Sequence, residues 1–233
     1  AIPGQTMEMW KETLEEAVQL KTEHLSCYEV IYEQDTPLYE QLQAGKFDVD
    51  EELACEMYDA LIDFSGTHGF QQYEIANFAK SEDSTAAIPS HACKHNINYW
   101  RGGFYYAAGP SACGYEPKPG SIGLRTRNWA NTQMYCEEVE KGKRPLESTE
   151  ELPPLARAGE VAAFGLRMNA GWPFAEFLHA TGFDLREHWR TEMNDLVQRG
   201  LAELESDRFR LNRAGLRFAD LAAETFLKLE PAA

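Results

Sequence analysis

His24-Leu25-Ser26-Cys27-Tyr28-Glu29-Val30-Ile31-Tyr32-Glu33 is rich in β-branched and aromatic residues and bounded by polar ones, which predicts a strand. Just before it, Met7, Trp10, Leu14 and Val18 recur at spacings of three and four. That is the pattern of an amphipathic helix running to Leu20, with Thr6 as its N-cap. After the strand, Thr36-Pro37 opens a short helix through Gln43 that Gly45 ends, with Pro at its favoured first helical position. Val49 to Thr67 predicts a longer helix closed by Gly69, and Phe70 to Ile75 a second strand. Helix–strand–helix–strand alternation predicts a portion of a parallel α/β sheet. Two or three strands cannot cover their own edges, and no Met opens the chain, so the expectation is a fragment of something longer.

Lys80 to Pro89 turns to Ser, Thr, Asp and Ala without periodicity, which reads as a loop. Phe104 to Gly109 is a strand candidate running into the small-residue turn Pro110-Ser111-Ala112-Cys113-Gly114. Asn128 to Gly142 reads as a helix, and Pro145 to Pro154 as a polar linker. The last third changes character. Helices are expected at Leu155 to Met168, Phe174 to Ala180, Leu185 to Arg199 and Arg213 to Leu229. Between the last two, Leu201 to Leu204 and Arg208 to Leu211 alternate about a tight turn. Helices, a small hairpin and a further helix predict a winged-helix-like module. No repeat or low-complexity tract interrupts the 233 residues.

Charge narrows the partners. Lys and Arg total 22 against 38 Asp and Glu, a formal net charge of −16. Residues 1–80 hold 4 basic and 17 acidic residues, so most of the excess lies there. Such a surface repels phosphate backbones and anionic headgroups. No apolar run approaches the length of a membrane-spanning helix, and Ala1 to Thr6 has no signal-peptide pattern. Five cysteines, Cys27, Cys55, Cys93, Cys113 and Cys136, stand 20 to 38 residues apart, so no CxxC or CxxxCxxC pattern exists. They read as free thiols in a reducing cytoplasm.

The densest collection of chemistry is Tyr73 to Ala79 with His95-Asn96-Ile97-Asn98-Tyr99-Trp100-Arg101. An imidazole beside flat aromatic surface suits haem, since neutral histidine is a good axial ligand to iron. The competing reading is that His95 opens a helix and is satisfied locally. In Gly109 to Gly114, backbone could approach a ligand closely and free N–H groups could meet an anion, or the turn could simply need small residues. Trp172, His188 and Trp189 read as packing. Glu74 has no partner carboxylate at a spacing that predicts acid–base work.

Four segments together resemble the radical-SAM haem chaperone family, long described as oxygen-independent coproporphyrinogen III oxidase-like. They are His24 to Tyr28, Gln72 to Lys80, His95 to Trp100 and Gly109 to Tyr115, and the resemblance extends through Gly142 to Pro145 and the C-terminal part. The HNxxYW pattern at His95 to Trp100 is the specific element, because the family uses it to separate the chaperone branch from the oxidase. The resemblance implies a haem pocket at His95, Asn96, Tyr99 and Trp100, with His95 on the haem iron. It also matches Ile31 and Cys113 to cofactor contacts of the oxidase relatives. The family's CxxxCxxC cluster motif and its S-adenosylmethionine-binding glycine pair are absent from this chain, and Cys113 stands where the family usually carries His.

The resemblance therefore implies an α/β fold, the C-terminal half of a radical-SAM partial barrel over residues 1–147, followed by a mainly helical winged-helix-like domain over 148–233. Haem is the implied ligand, to be passed to an acceptor protein that the sequence does not identify. S-adenosylmethionine and a [4Fe–4S] cluster are expected for the full-length family only, so radical chemistry is not expected of this chain alone. The alternatives are oxidative decarboxylation of coproporphyrinogen III and a winged-helix regulator that binds DNA. Charge weighs against nucleic acid, and HNxxYW favours the chaperone over the oxidase.

Overall fold

The computed structural model describes residues 1–227 and divides into two compact units, Ala1–Ala92 and Cys93–Ala233. The first unit opens with α1 (Met7–Gln19), where Thr6 accepts a bond from the Met9 N–H as N-cap. Then follow β1 (His24–Ser26), α2 (Pro37–Gln43), α3 (Glu51–Thr67), β2 (Phe70–Glu74) and β3 (Asn77–Lys80). Leu14, Leu61, Phe70 and Phe78 form its buried cluster, with Trp10, Val18, Leu25 and Cys27 packed against it. Burying side chains of this size contributes about 1.5–3 kcal/mol each, which is what holds α1 and α3 on the sheet.

The strand expected over 24–33 is only three residues long, and the parallel sheet takes a different form. β3 lies between β1 and β2 and pairs antiparallel with both. β1 and β2 do run the same way, but Ile75-Ala76 turns the chain straight back so that β3 inserts between them. Tyr58 fixes that turn by donating to the Ile75 carbonyl at 3.0 Å.

The second unit begins with α4 (Lys94–Trp100), followed by β4 (Cys113–Lys118), β5 (Ile122–Asn128), α5 (Thr132–Glu140) and β6 (Leu146–Leu152). These strands make an antiparallel sheet in the order β4-β5-β6. β6 occupies the segment read as a linker, and the expected domain change at 147/148 falls inside it. Its sequence, Leu-Glu-Ser-Thr-Glu-Glu-Leu, carries little apolar signal. Cross-strand ion pairs hold it: Arg125 to Glu150 at 2.8 Å, Arg127 to Glu147 at 3.5 Å, and Lys118 to Glu151. The strand expected over 104–109 reduces to one bridge, Tyr105 to Tyr115.

The remainder is winged-helix-like. It comprises α6 (Pro154–Gly165), β7 (Trp172–Pro173), α7 (Phe174–Thr181), α8 (Leu185–His188), α9 (Arg190–Gln198), β8 (Ala202–Leu204), β9 (Arg208–Leu211), α10 (Arg213–Leu216) and α11 (Ala219–Glu224). The strands order as β7-β9-β8. The helix expected over 185–199 breaks at Trp189, whose φ of −128° leaves the helical region. The break lets the indole sink to 0% exposure, edge-on to Phe177 at 5.7 Å and donating to the Phe226 carbonyl at 2.8 Å. Trp172 is 1% exposed and also packs edge-on against Phe177, at 5.3 Å. Both tryptophans are packing, as expected. The last expected helix also divides, into α10 and α11, and its end at Leu229 lies outside the described residues.

Candidate functional site

α4 is two turns long, and spacing of four sets His95 beside Tyr99 and Asn96 beside Trp100. His95 is exposed, and among the described residues no hydrogen bond or ion pair engages its imidazole. Local satisfaction at the helix start does not occur. The C-terminal end of the helix is packed. Tyr99 meets Trp100 edge-on at 5.2 Å and Tyr105 at 5.1 Å, and Phe164 of α6 lies 5.9 Å from Tyr99 and 6.3 Å from Trp100. Burial and a hydrogen bond with Tyr99 push the Tyr105 hydroxyl above the ordinary phenol range, so it stays protonated.

Two glycines shape the chain just after α4, the first by its approach to α6. Gly102 has φ of +70°, and a Cβ there would stand 2.5 Å from Val161 of α6. A Cβ at Gly103 would strike Asn98, whose amide donates to the Phe104 carbonyl at 3.2 Å. Arg101 donates to the Gly171 carbonyl at 2.7 Å, with its guanidinium 4.6 Å over Trp172. The indole N–H of Trp100 is buried without a hydrogen-bond partner among the described residues.

The turn at Gly109 to Gly114 has spent the N–H groups that could have met an anion. Gly109 donates to the Tyr135 hydroxyl at 3.1 Å, Ser111 to the Trp129 carbonyl at 3.1 Å, and Ala112 weakly to Gly109. Asn128 donates to the Gly109 carbonyl from the other side. Cys113 is exposed at the start of β4, and Ile31, also exposed, follows β1 in the first unit. Tyr73 to Ala79 belongs to the first unit and α4 to the second.

The first unit holds a polar network that sequence reasoning left unassembled. His24 Nε2 bonds the Tyr73 hydroxyl at 2.9 Å, and Ser26 donates to Asn77 at 2.5 Å. The Asn77 amide donates to Tyr28 at 3.2 Å and to Glu74, whose other oxygen accepts from the Ala76 N–H at 3.4 Å. A bulge between Gln72 and Glu74 makes this possible by breaking strict alternation, so that Tyr73 and Glu74 both meet this polar face. Burial lowers the His24 pKa, opposed by the charge of Glu74. The alternation of His24, Ser26 and Tyr28 was the available signal; the bulge was not.

The donor set for haem fits at α4: an exposed, unpartnered imidazole beside aromatic surface. For a cluster it does not. All five cysteines are free, and among the described residues no group of three or more His, Cys, Asp or Glu could hold a metal ion.

The architecture matches that of coproporphyrinogen III oxidase (HemN) from Escherichia coli, described as a radical SAM enzyme, with a TM-score of 0.69 at 15% identity. The match covers 97% of this chain and 52% of that one. The fold is thus that of a portion of HemN. Residues 152–218 match the HemN C-terminal domain family. The heme chaperone HemW of Bacillus subtilis is 31% identical over 201 residues, covering 86% of this chain and 50% of that protein. HemW of Lactococcus lactis is 27% identical over 228 residues, 97% of this chain and 56% of that protein. The mitochondrial radical S-adenosyl methionine domain-containing protein 1 of Danio rerio is 32% identical over 175 residues, 73% and 38%. Together these similarities support a radical-SAM family like that of HemW and HemN. It spans about half the length of the curated relatives it matches. Among the described residues no helix is long and apolar enough to cross a membrane.

Proposed function

We propose that this chain is the haem-holding part of a cytoplasmic haem chaperone, with haem as its cargo and His95 as the axial ligand. The observation that carries the proposal is the state of His95: exposed, unpartnered, and mounted on a helix whose C-terminal end is packed against α6. A neutral imidazole offers a nitrogen lone pair, and haem would supply the iron that accepts it. Tyr99, Trp100 and Asn96 shape the surface beside that bond. In the longer protein, Ile31 and Cys113 are assigned to cofactor contact, residues 1–147 to the barrel portion and 148–233 to the C-terminal domain. S-adenosylmethionine and the cluster belong to that longer protein, and no catalytic step is assigned to the residues described here.

The curated relatives support the chaperone over the oxidase, since those from Bacillus subtilis and Lactococcus lactis, which match over most of the chain, are named heme chaperones. The regulator alternative is not favoured. In the hairpin, Arg210 is held by Glu203 at 2.6 Å and Glu205 at 2.9 Å, and Arg208 by Asp207 at 3.1 Å. Those arginines are neutralised within their own hairpin, which is poor equipment for a phosphate backbone.

Titration with ferric haem, followed in the Soret band, tests the proposal. His95→Ala should lower affinity about tenfold or more and shift the band, because the axial bond goes while the aromatic contacts stay. Identical affinity and spectrum in the two proteins would remove His95 as the ligand.

A further inference from the structure

We propose that Arg167 is a positioning residue for the haem-ligand helix: its guanidinium lies over Trp100 and sets how α4 presents His95. The inference rests on the haem reading of α4. Val161, Phe164 and Arg167 follow at intervals of three along and just beyond α6, so they form one stripe. All three meet residues at or just beyond the end of α4. Val161 lies against Gly102, Phe164 against Tyr99 and Trp100, and the Arg167 guanidinium 5.0 Å over the Trp100 ring.

Arg167 is also tied from behind, by an ion pair to Asp220 of α11. A planar cation held from one side and laid on an indole from the other restrains the tilt of that indole. Trp100 sits one turn beyond Asn96 and five residues beyond His95, and α4 has only two turns. A change in the tilt of Trp100 is therefore carried into the ligand end of the helix. Neither Val161 nor Phe164 offers this, since both are apolar contacts without a second anchor. Arg167 makes no contact with His95, so its effect on haem must pass through Trp100.

The test is a double-mutant cycle on the whole chain, with Arg167→Ala, Trp100→Ala and the pair, read by ferric haem titration beside His95→Ala. Arg167→Ala should lower haem affinity about three- to tenfold, the scale of one cation–π contact. In the double variant the loss should be no greater than in Trp100→Ala alone. In the haem-free protein, Arg167→Ala should speed amide exchange over residues 97–101. Arg167→Lys keeps a charge near Asp220 but not the planar guanidinium, so its affinity should fall between wild type and Arg167→Ala. Should Arg167→Ala fail to fold, the cycle is run with Arg167→Lys and judged by the same non-additivity.

Additive losses would overturn the proposal, because Arg167 would then not act through Trp100. It also fails if His95→Ala weakens haem binding while Arg167→Ala does not, leaving the haem reading intact. If His95→Ala binds haem as wild type does, the haem reading fails and this inference with it.

Discussion

Residues 73–77 and 95–100 carry similar side chains, each with aromatics, amides and an ionisable group, and the structure treats them in opposite ways. In the first segment Tyr73, Glu74 and Asn77 are at most 1% exposed, and their polar atoms are bonded to one another or to β1. In the second, the aromatic end is turned onto α6 while His95 stands free at the surface. A closed network stabilises a sheet because opening any member strands the others in a low-dielectric interior. A half-open helix has bonding capacity left for something outside the chain. The same residue types can thus serve the fold or a ligand, and which they do is decided by whether their hydrogen bonds close internally.

That contrast can be broken most severely at Asn77. Asn77→Ala removes the amide shared by Ser26, Tyr28 and Glu74 and leaves a buried carboxylate with one long backbone bond. It should cost the first unit about 2–4 kcal/mol, measured by chemical denaturation. At temperatures where the variant is folded, haem affinity should match wild type. A loss of haem binding in the folded variant would show that the network is part of the site.

A smaller effect is expected from pH. Burial holds the His24 pKa below its ordinary value, with Glu74 opposing. The folded state therefore binds fewer protons than the unfolded one near that value. Stability linked to His24 is complete above an unfolded pKa of about 6.5 and is lost as pH falls through the lower folded value. The slope of stability against pH between about 7.5 and 5 should be shallower in His24→Gln than in wild type. An unchanged slope would mean that His24 titrates as it does in the unfolded chain.

Much of the helical framework was legible because its signals are local. Thr6 and Pro37 mark helix starts, and both perform those roles. The β4-β5-β6 sheet was not legible, since β6 is a polar strand held by cross-strand charge and shows no apolar alternation. The break at Trp189 was hidden for another reason. The pattern around it is helical, and burial of the indole overrides that pattern. At the candidate site, His95 could be found from the motif alone, while the helix that carries it entered only as the competing reading. Phe164 and Arg167 could not, because nothing local ties α6 to a helix so far back in the chain.

Haem protection of individual histidines from acylation by diethyl pyrocarbonate, located by mass spectrometry, probes the difference between the two regions directly. Neutral, accessible imidazoles react. In the haem-free chain His95 and the exposed His179 of α7 should be modified quickly. His24, half-buried and bonded to Tyr73, should react slowly. Added haem should protect His95 and leave the rates at His179 and His24 unchanged. Equal labelling of His95 with and without bound haem would contradict the account, as would protection of His24 in its place.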